Sequence, residues 1–102
     1  MKLLPIRLTD AAIQEIAGIM DRKKIPEGFG LRIGAKGSSC SGTNFIIGFD
    51  SVHTEDEIFT VGGFQVYIEK KHFLHLIGMM VDFVEGETER GFIFSKDNLQ
   101  IV

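Results

Sequence analysis

The one cysteine of this 102-residue chain, Cys40, stands in a run of small and polar residues that extends from Lys36 to Gly42. A thiolate is the softest ligand that the chain offers to a metal such as iron. A loop of this composition leaves the sulfur accessible and brings backbone N–H groups near a bound anion or the sulfides of a cluster. The same run also fits a simple connection in which Cys40 is a small apolar filler, and spacing alone favours that interpretation.

Three histidines and an acidic run are the other candidate ligands. His72 and His75 lie three residues apart on a predicted short helix and could share a face, whereas His53 lies beside acidic residues. A histidine pair at that spacing is far commoner on a surface than in a metal site. The acidic run 55–57 lacks the alternation of a calcium loop. We therefore expect the acidic run to be a solvated turn.

A catalytic or redox-sensing role for Cys40 would require a neighbouring base or positive charge that lowers the pKa of its thiol. Lys36 alone is close in sequence. The chain has no recognisable triad, no phosphate-binding loop and no paired catalytic carboxylates. The sequence therefore predicts that the protein is not an enzyme.

The charge and hydropathy of the chain argue against two kinds of partner, nucleic acids and membranes. The chain carries 11 basic and 14 acidic residues, a net charge of -3, and its longest basic runs are the pairs Lys23-Lys24 and Lys70-Lys71. Phosphate binding needs a concentrated basic face, so we expect no nucleic acid partner. We also expect no membrane contact and a cytoplasmic location, because long apolar stretches and a leader are missing and a single cysteine fits a reducing compartment.

The periodicity of apolar residues predicts elements that place Cys40 between two strands. A long helix is expected over residues 9–23, capped by Thr9, and a short helix over 70–77. Strands are expected over 29–35, 44–50, 58–61, 64–69, 79–84 and 91–95, and Gly62-Gly63 predicts a hairpin turn. The predicted fold is α+β: a single compact β-rich domain over residues 1–102, with short, mostly antiparallel strands and both helices packed outside.

The segment from Leu31 to Gly42, which ends in Cys40-Ser41-Gly42, is similar to the strand and Cys-Ser-Gly loop of the A-type iron–sulfur carrier (HesB/IscA) family. The similarity extends over nearly the whole chain. It includes Ile6 to Ala12, which resembles the family's entry into its first helix. Later segments resemble the family's later strands in the same order and spacing, namely Gly63 to Ile68, Lys71 to Leu76, Val81 to Val84 and Gly91 to Phe94.

This resemblance implies a HesB-like fold, self-association, and transfer of iron or an iron–sulfur cluster to recipient or assembly proteins. It assigns Cys40 as a metal or cluster ligand, with Ser39, Ser41 and Gly42 as the supporting loop. The chain departs from the family pattern in two respects. Ser38 and Ser39 replace the usual glycines, and the family's second ligand pair, a Cys-Gly-Cys near the C-terminus, is missing.

The missing pair leaves two functional hypotheses. A cluster normally takes about four protein thiolates and each chain supplies one, so the first hypothesis places Cys40 at the interface of a homodimer or higher oligomer. Ile46 and Tyr67, which we expect to be exposed on their strands, would contribute to such an interface. The second hypothesis is a family member that binds no cluster and acts as a protein-interaction module.

Overall fold

The structure is a computed structural model that describes residues 4–39 and 42–96, with side chains at all of these except 36–44 and 96. The described residues form seven strands and two α-helices. The strands are β1 (Arg7–Leu8), β2 (Phe29–Ser39), β3 (Gly42–Ser51), β4 (Asp56–Val61), β5 (Phe64–Glu69), β6 (Met79–Glu85) and β7 (Arg90–Lys96). The helices are α1 (Asp10–Arg22) and α2 (Phe73–Leu76), and a 3-10 turn, Lys70–His72, leads directly into α2.

Helix α1 forms where the periodicity of the sequence predicts it. Its core-facing residues Ala12 and Ile16 are fully buried. Thr9 is the N-cap, because its Oγ1 accepts a hydrogen bond from the backbone N–H of Ala12 at 3.1 Å. The same hydroxyl donates to Asp82 Oδ1 at 2.7 Å, which ties the start of α1 to β6.

The strands form two sheets. The smaller sheet has the order β1-β6-β7 and the larger one β3-β2-β5-β4. The pairs β2–β3, β4–β5 and β6–β7 are antiparallel, whereas β1–β6 and β2–β5 are parallel. The expected α+β fold with mostly antiparallel strands is therefore confirmed. The core lies between the sheets and α1, and its fully buried side chains include those of Ile16, Leu31, Ile33, Val66, Ile68, Leu76 and Val81.

Two elements differ from the expectation. The predicted helix over 70–77 begins as the 3-10 turn, and α2 itself has 4 residues. Strand β1 was not predicted, because 2 residues are too few to show any periodicity. It forms because Arg7 and Leu8 pair with Met80 and Val81 of β6, a contact between distant parts of the chain.

Candidate functional site

Strands β2 and β3 form the long hairpin that contains the cysteine in sequence. Their antiparallel register runs from Phe29↔Ser51 to Ser39↔Gly42. Cys40 and Ser41 follow Ser39 in the sequence and lie outside the described residues. The predicted loop from Lys36 to Gly42 is therefore shorter than expected, since both strands continue into it.

Strand β2 fixes the base of this hairpin in the core. It lies between β3 and β5, and its side chains at Leu31, Ile33 and Ala35 are buried. The strand then continues for four residues beyond Ala35, a distance of about 13 Å at the usual rise per residue, to Ser39. The sequence could not reveal this extension, because glycine and serine carry little strand propensity.

The register of the hairpin shifts between Lys36 and Ser38. Up to Lys36, which pairs with Asn44, each step along β2 matches one step along β3; the next pair is Ser38↔Thr43. An extra residue on one strand bends the hairpin and increases its twist. Gly37 occupies the extra position, so the small residues in this run coincide with an irregularity just before Cys40 in sequence.

An ion-pair network lies on the face of the larger sheet opposite the core. Arg32 of β2 donates to both carboxylate oxygens of Asp56, from Nη1 at 2.8 Å and from Nη2 at 2.6 Å. Its Nε donates to Asp50 Oδ2 at 3.1 Å, and Nη2 also donates to the carbonyl oxygen of Ser51 at 2.9 Å. This fork joins β2 to the end of β3 and the start of β4.

The network displaces the pKa values of its members. The bidentate hydrogen bonds from Arg32 are the largest cause that lowers the pKa of Asp56, and a hydrogen bond from the backbone N–H of His53 lowers it further. The pKa of Asp50 is lowered first by the backbone N–H of Ser51. The pKa of Arg32 is raised, chiefly by its hydrogen bonds to Asp56. All three groups are therefore charged at neutral pH.

The expectation of a solvated acidic turn is wrong for two of its three residues, because Asp56 and Glu57 both belong to β4 and are at least half-buried. The side chain of Asp56 is 0% exposed and occupies the first position of β4. The signal that sequence reasoning missed is Arg32: it lies between Leu31 and Ile33 on a predicted strand, and the structure places that strand inside the sheet, where the guanidinium needs a partner. Glu55 remains exposed, as expected.

Tyr67 is buried rather than exposed, which corrects a second expectation. Its ring lies against Gly30 of the neighbouring strand, where an added Cβ would come within 2.9 Å of the ring. Its hydroxyl donates to the carbonyl oxygen of Gly28 at 3.0 Å, and the guanidinium of Arg32 lies 6.0 Å from the ring centre. Ile46, in contrast, is exposed as predicted.

The three histidines do not converge on one site. His53 Nε2 lies 3.2 Å from Asp50 Oδ2 at the surface. His72 is half-buried, with its ring 3.3 Å from where a Cβ on Gly34 would lie, whereas His75 is exposed. Residues 4–39 and 42–96 contain no group of three or more His, Cys, Asp or Glu side chains arranged to hold a metal ion.

The two sheets meet near the hairpin through one aromatic pair. The ring of Phe45, five residues after Cys40 in the chain, stacks on that of Phe94 with the ring centres 4.8 Å apart and the planes 4° from parallel. This contact places the C-terminal strand β7 beside β3.

None of the helices in the described part of the chain is long and apolar enough to cross a membrane.

Comparison with known proteins agrees with this fold. The chain is 36% identical over 97 residues to the iron-binding protein IscA of Xenorhabdus nematophila, covering 94% of this chain and 89% of that protein. The crystal structure of Escherichia coli SufA, involved in biosynthesis of iron-sulfur clusters, superposes with a TM-score of 0.76 at 25% identity, over 98% of this chain and 87% of that one. The crystal structure of IscA with the [2Fe-2S] cluster superposes with a TM-score of 0.68 at 24% identity, over 91% and 83% of the two chains.

Residues 4–101 match the family described as iron-sulphur cluster biosynthesis. Fold and sequence together define a protein of iron–sulfur cluster assembly and carriage. The chain belongs to the iron-sulphur cluster biosynthesis family, so the resemblance identified from the sequence is confirmed.

Proposed function

We propose that the protein carries iron or an iron–sulfur cluster as its cargo and that Cys40 is the ligand that each chain contributes. Cys40 is the one thiol in the chain, and it connects β2 and β3 in sequence at the far end of their shared register. That position carries the proposal. The name of the Xenorhabdus relative, an iron-binding protein, and the cluster in the IscA structure support it.

The donor set of one chain is too small for a cluster. A cluster normally takes about four protein ligands, whereas the chain has one thiol and its described residues contain no group of three or more potential metal ligands. The protein therefore acts as a homodimer or higher oligomer in which two copies of Cys40 contribute, and histidine, carboxylate or an external thiol fills the remaining positions. The backbone of Ser39, Ser41 and Gly42 supports the site by donating N–H groups toward the sulfides.

The wider role follows from this chemistry. A site with one thiolate and no paired acid and base holds cargo rather than catalysing a reaction, so the partners are recipient or assembly proteins. The location is the cytoplasm, where thiols stay reduced. Residues 1–102 act as one domain, which the single core shared by both sheets supports.

Anaerobic reconstitution with ferrous iron and sulfide tests the role of Cys40. We expect the wild-type protein to develop the visible absorption of an iron–sulfur centre and Cys40→Ser to lose both that absorption and the bound iron. The free energy of unfolding of the iron-free variant should change by no more than about 0.5 kcal/mol, the usual range for a substitution in a surface loop, which is where the sequence predicts Cys40.

The matched control is Ser41→Ala, which keeps the thiol and every backbone N–H, and it should bind iron as the wild type does. Equal iron content in Cys40→Ser and wild type would contradict the assignment of the ligand. A wild type that binds no iron, under conditions that load other family members, would favour the second hypothesis, a protein-interaction module.

A further inference from the structure

Two apolar side chains of the α2 turn point to solvent rather than to the core. Leu74 is 86% exposed and Ile77 is 61% exposed, the two largest values among the large apolar residues that the structure describes. The backbone N–H of Ile77 donates to the carbonyl oxygen of Phe73 at 3.0 Å, so the helical turn continues through Ile77. Residues three apart on such a turn are neighbours. One exposed leucine is ordinary, but this pair forms an apolar patch.

The patch lies on a turn that is anchored from beneath. Leu76 is fully buried, and the ring of Phe73 packs against that of Phe59 with the ring centres 6.1 Å apart. The end of the turn is also held, because the backbone N–H of Gly78 donates to the carbonyl oxygen of Pro5 at 3.2 Å. An apolar patch that is already ordered loses little conformational entropy when a partner covers it.

The charges that border the patch toward solvent are positive. Lys70 and Lys71 lie four and three residues before Leu74, which places them one helical turn away on its side of the turn. Their side chains are mostly exposed and make only long contacts, 3.8 Å to Glu57 and 3.6 Å to Glu69, whose own side chains are mostly buried. In a chain with a net charge of -3, an apolar patch with a basic border stands out.

We call Lys70, Lys71, Leu74 and Ile77 the α2 face, and we propose that it docks a segment of a partner protein in which apolar side chains alternate with carboxylates. The apolar pair forms the dry centre of the contact, and the lysines at its border face the partner's carboxylates. The excess of acidic residues elsewhere on the chain repels such a segment, so the charge pattern directs it to this face. The contact does not involve Cys40.

An anionic membrane is the other surface that basic and apolar residues together can fit. Membrane-binding clusters usually contain about four to eight basic side chains, and each contributes about 1 kcal/mol near the lipid surface. The α2 face offers Lys70 and Lys71, and it adds one leucine and one isoleucine. These contributions are too small for attachment to a membrane, whereas a protein segment also gains from shape complementarity to a rigid turn. The observations therefore favour a protein partner.

Selection from a library of random peptides displayed on phage, with the iron-free wild-type protein as bait, tests this chemistry without prior choice of a partner. The enriched peptides should carry apolar residues flanked by Asp or Glu. The most enriched peptide is then synthesised with a fluorophore, and its affinity is measured by fluorescence anisotropy. Its dissociation constant should rise at least about tenfold for Leu74→Asp, and also for Lys70→Glu combined with Lys71→Glu.

Two matched controls place the same kinds of charge elsewhere. Val84→Asp puts an aspartate at another exposed apolar residue, about 17 Å along β6 from Met79, which follows the α2 turn. Lys23→Glu with Lys24→Glu reverses the lysine pair after α1, whose last turn lies beside the start of β5, whereas Lys70 follows its end. Both controls should bind the peptide as the wild type does. Circular dichroism should show that all the variants are folded.

Several outcomes would overturn the proposal. They are the absence of enriched peptides, enrichment of peptides without acidic residues, and unchanged affinity in Leu74→Asp. Sedimentation of the wild type, but not of Leu74→Asp, with phosphatidylserine vesicles would assign the α2 face to a membrane instead. A wild-type oligomer that Leu74→Asp converts to monomers would assign it to a second copy of the chain. Iron-free Cys40→Ser should bind the peptide normally, so the result is independent of whether Cys40 binds iron.

Discussion

At the scale of single residues, the pair formed by Arg32 and Asp56 stabilises the start of β4 against β2. The guanidinium places one nitrogen on each carboxylate oxygen, and the side chain of Asp56 has no exposure to solvent. Planar, bidentate contacts of this kind are the stronger class of ion pair. Loss of one partner would leave the other charge only partly compensated in a largely dry environment.

Asp56→Asn should therefore lower the free energy of unfolding by about 2 kcal/mol at pH 7, less than for a fully buried pair because Arg32 keeps Asp50 and the Ser51 carbonyl. Chemical denaturation measures this change. Asp21→Asn, at an exposed aspartate near the end of α1, is the control and should change the free energy by less than about 0.5 kcal/mol.

The stabilisation by Asp56 should depend on pH. The pKa of Asp56 is lower in the folded protein than in the unfolded chain, so the unfolded chain binds the proton first as the pH falls. The contribution is fully present above the ordinary aspartate pKa of about 3.9 and is lost as the pH falls through the lower folded-state value. The difference between wild type and Asp56→Asn should shrink over that range, and a constant difference down to pH 2 would contradict this origin.

At the scale of elements, the sequence predicted those whose signals are local. The apolar period of α1, its Thr9 cap and the glycine turn between β4 and β5 all appear where expected. The features that the sequence did not predict depend on contacts between distant segments. Strand β1 forms by pairing with β6, and the burial of Tyr67 depends on Gly30 of a neighbouring strand. No pattern in the immediate sequence records such contacts.

In the candidate site, too, the features with a local sequence signal could be predicted and the others could not. The position of Cys40 between two strands could be predicted, because the period of two stops on one side of the small residues and resumes on the other. The continuation of β2 to Ser39 could not, since its last residues are glycine and serine. The partner of Arg32 was also missed, because Asp56 belongs to a run whose composition is typical of a surface turn.

The β4–β5 turn provides a prediction at this scale. Gly62 and Gly63 have φ angles of 54° and 88°, the left-handed values of a two-residue hairpin. A Cβ on Gly62 would also lie 2.6 Å from Ile13 Cγ2 of α1, whereas nothing lies within 4 Å of one on Gly63. Gly63→Ala should cost about 1 kcal/mol of stability through its backbone, and Gly62→Ala about 1 kcal/mol more through the clash.

A double-mutant cycle separates the two causes. In an Ile13→Ala background the methyl group that meets the new Cβ is gone, so Gly62→Ala and Gly63→Ala should then cost similar amounts. Thermal or chemical unfolding of the four variants measures the coupling. An undiminished difference in that background would show that the clash with Ile13 is not the cause.

At the scale of the whole molecule, the hairpin that contains Cys40 in sequence is anchored at its base in the core and adjoins the C-terminal strand through Phe45 and Phe94. The fold thus fixes the base of the two strands that lead to the thiol. Residues 4–39 and 42–96 contain no group of three or more His, Cys, Asp or Glu side chains that could hold a metal ion. We therefore expect a cluster on this protein to take ligands from more than one molecule.

Native mass spectrometry of the anaerobically reconstituted protein tests that claim most directly. We predict that iron and sulfide masses appear on a species containing two or more chains, and that Cys40→Ser shows the same chains without the added mass. Iron–sulfur mass retained by Cys40→Ser, or a cluster carried by a single wild-type chain with no added thiol, would contradict the account.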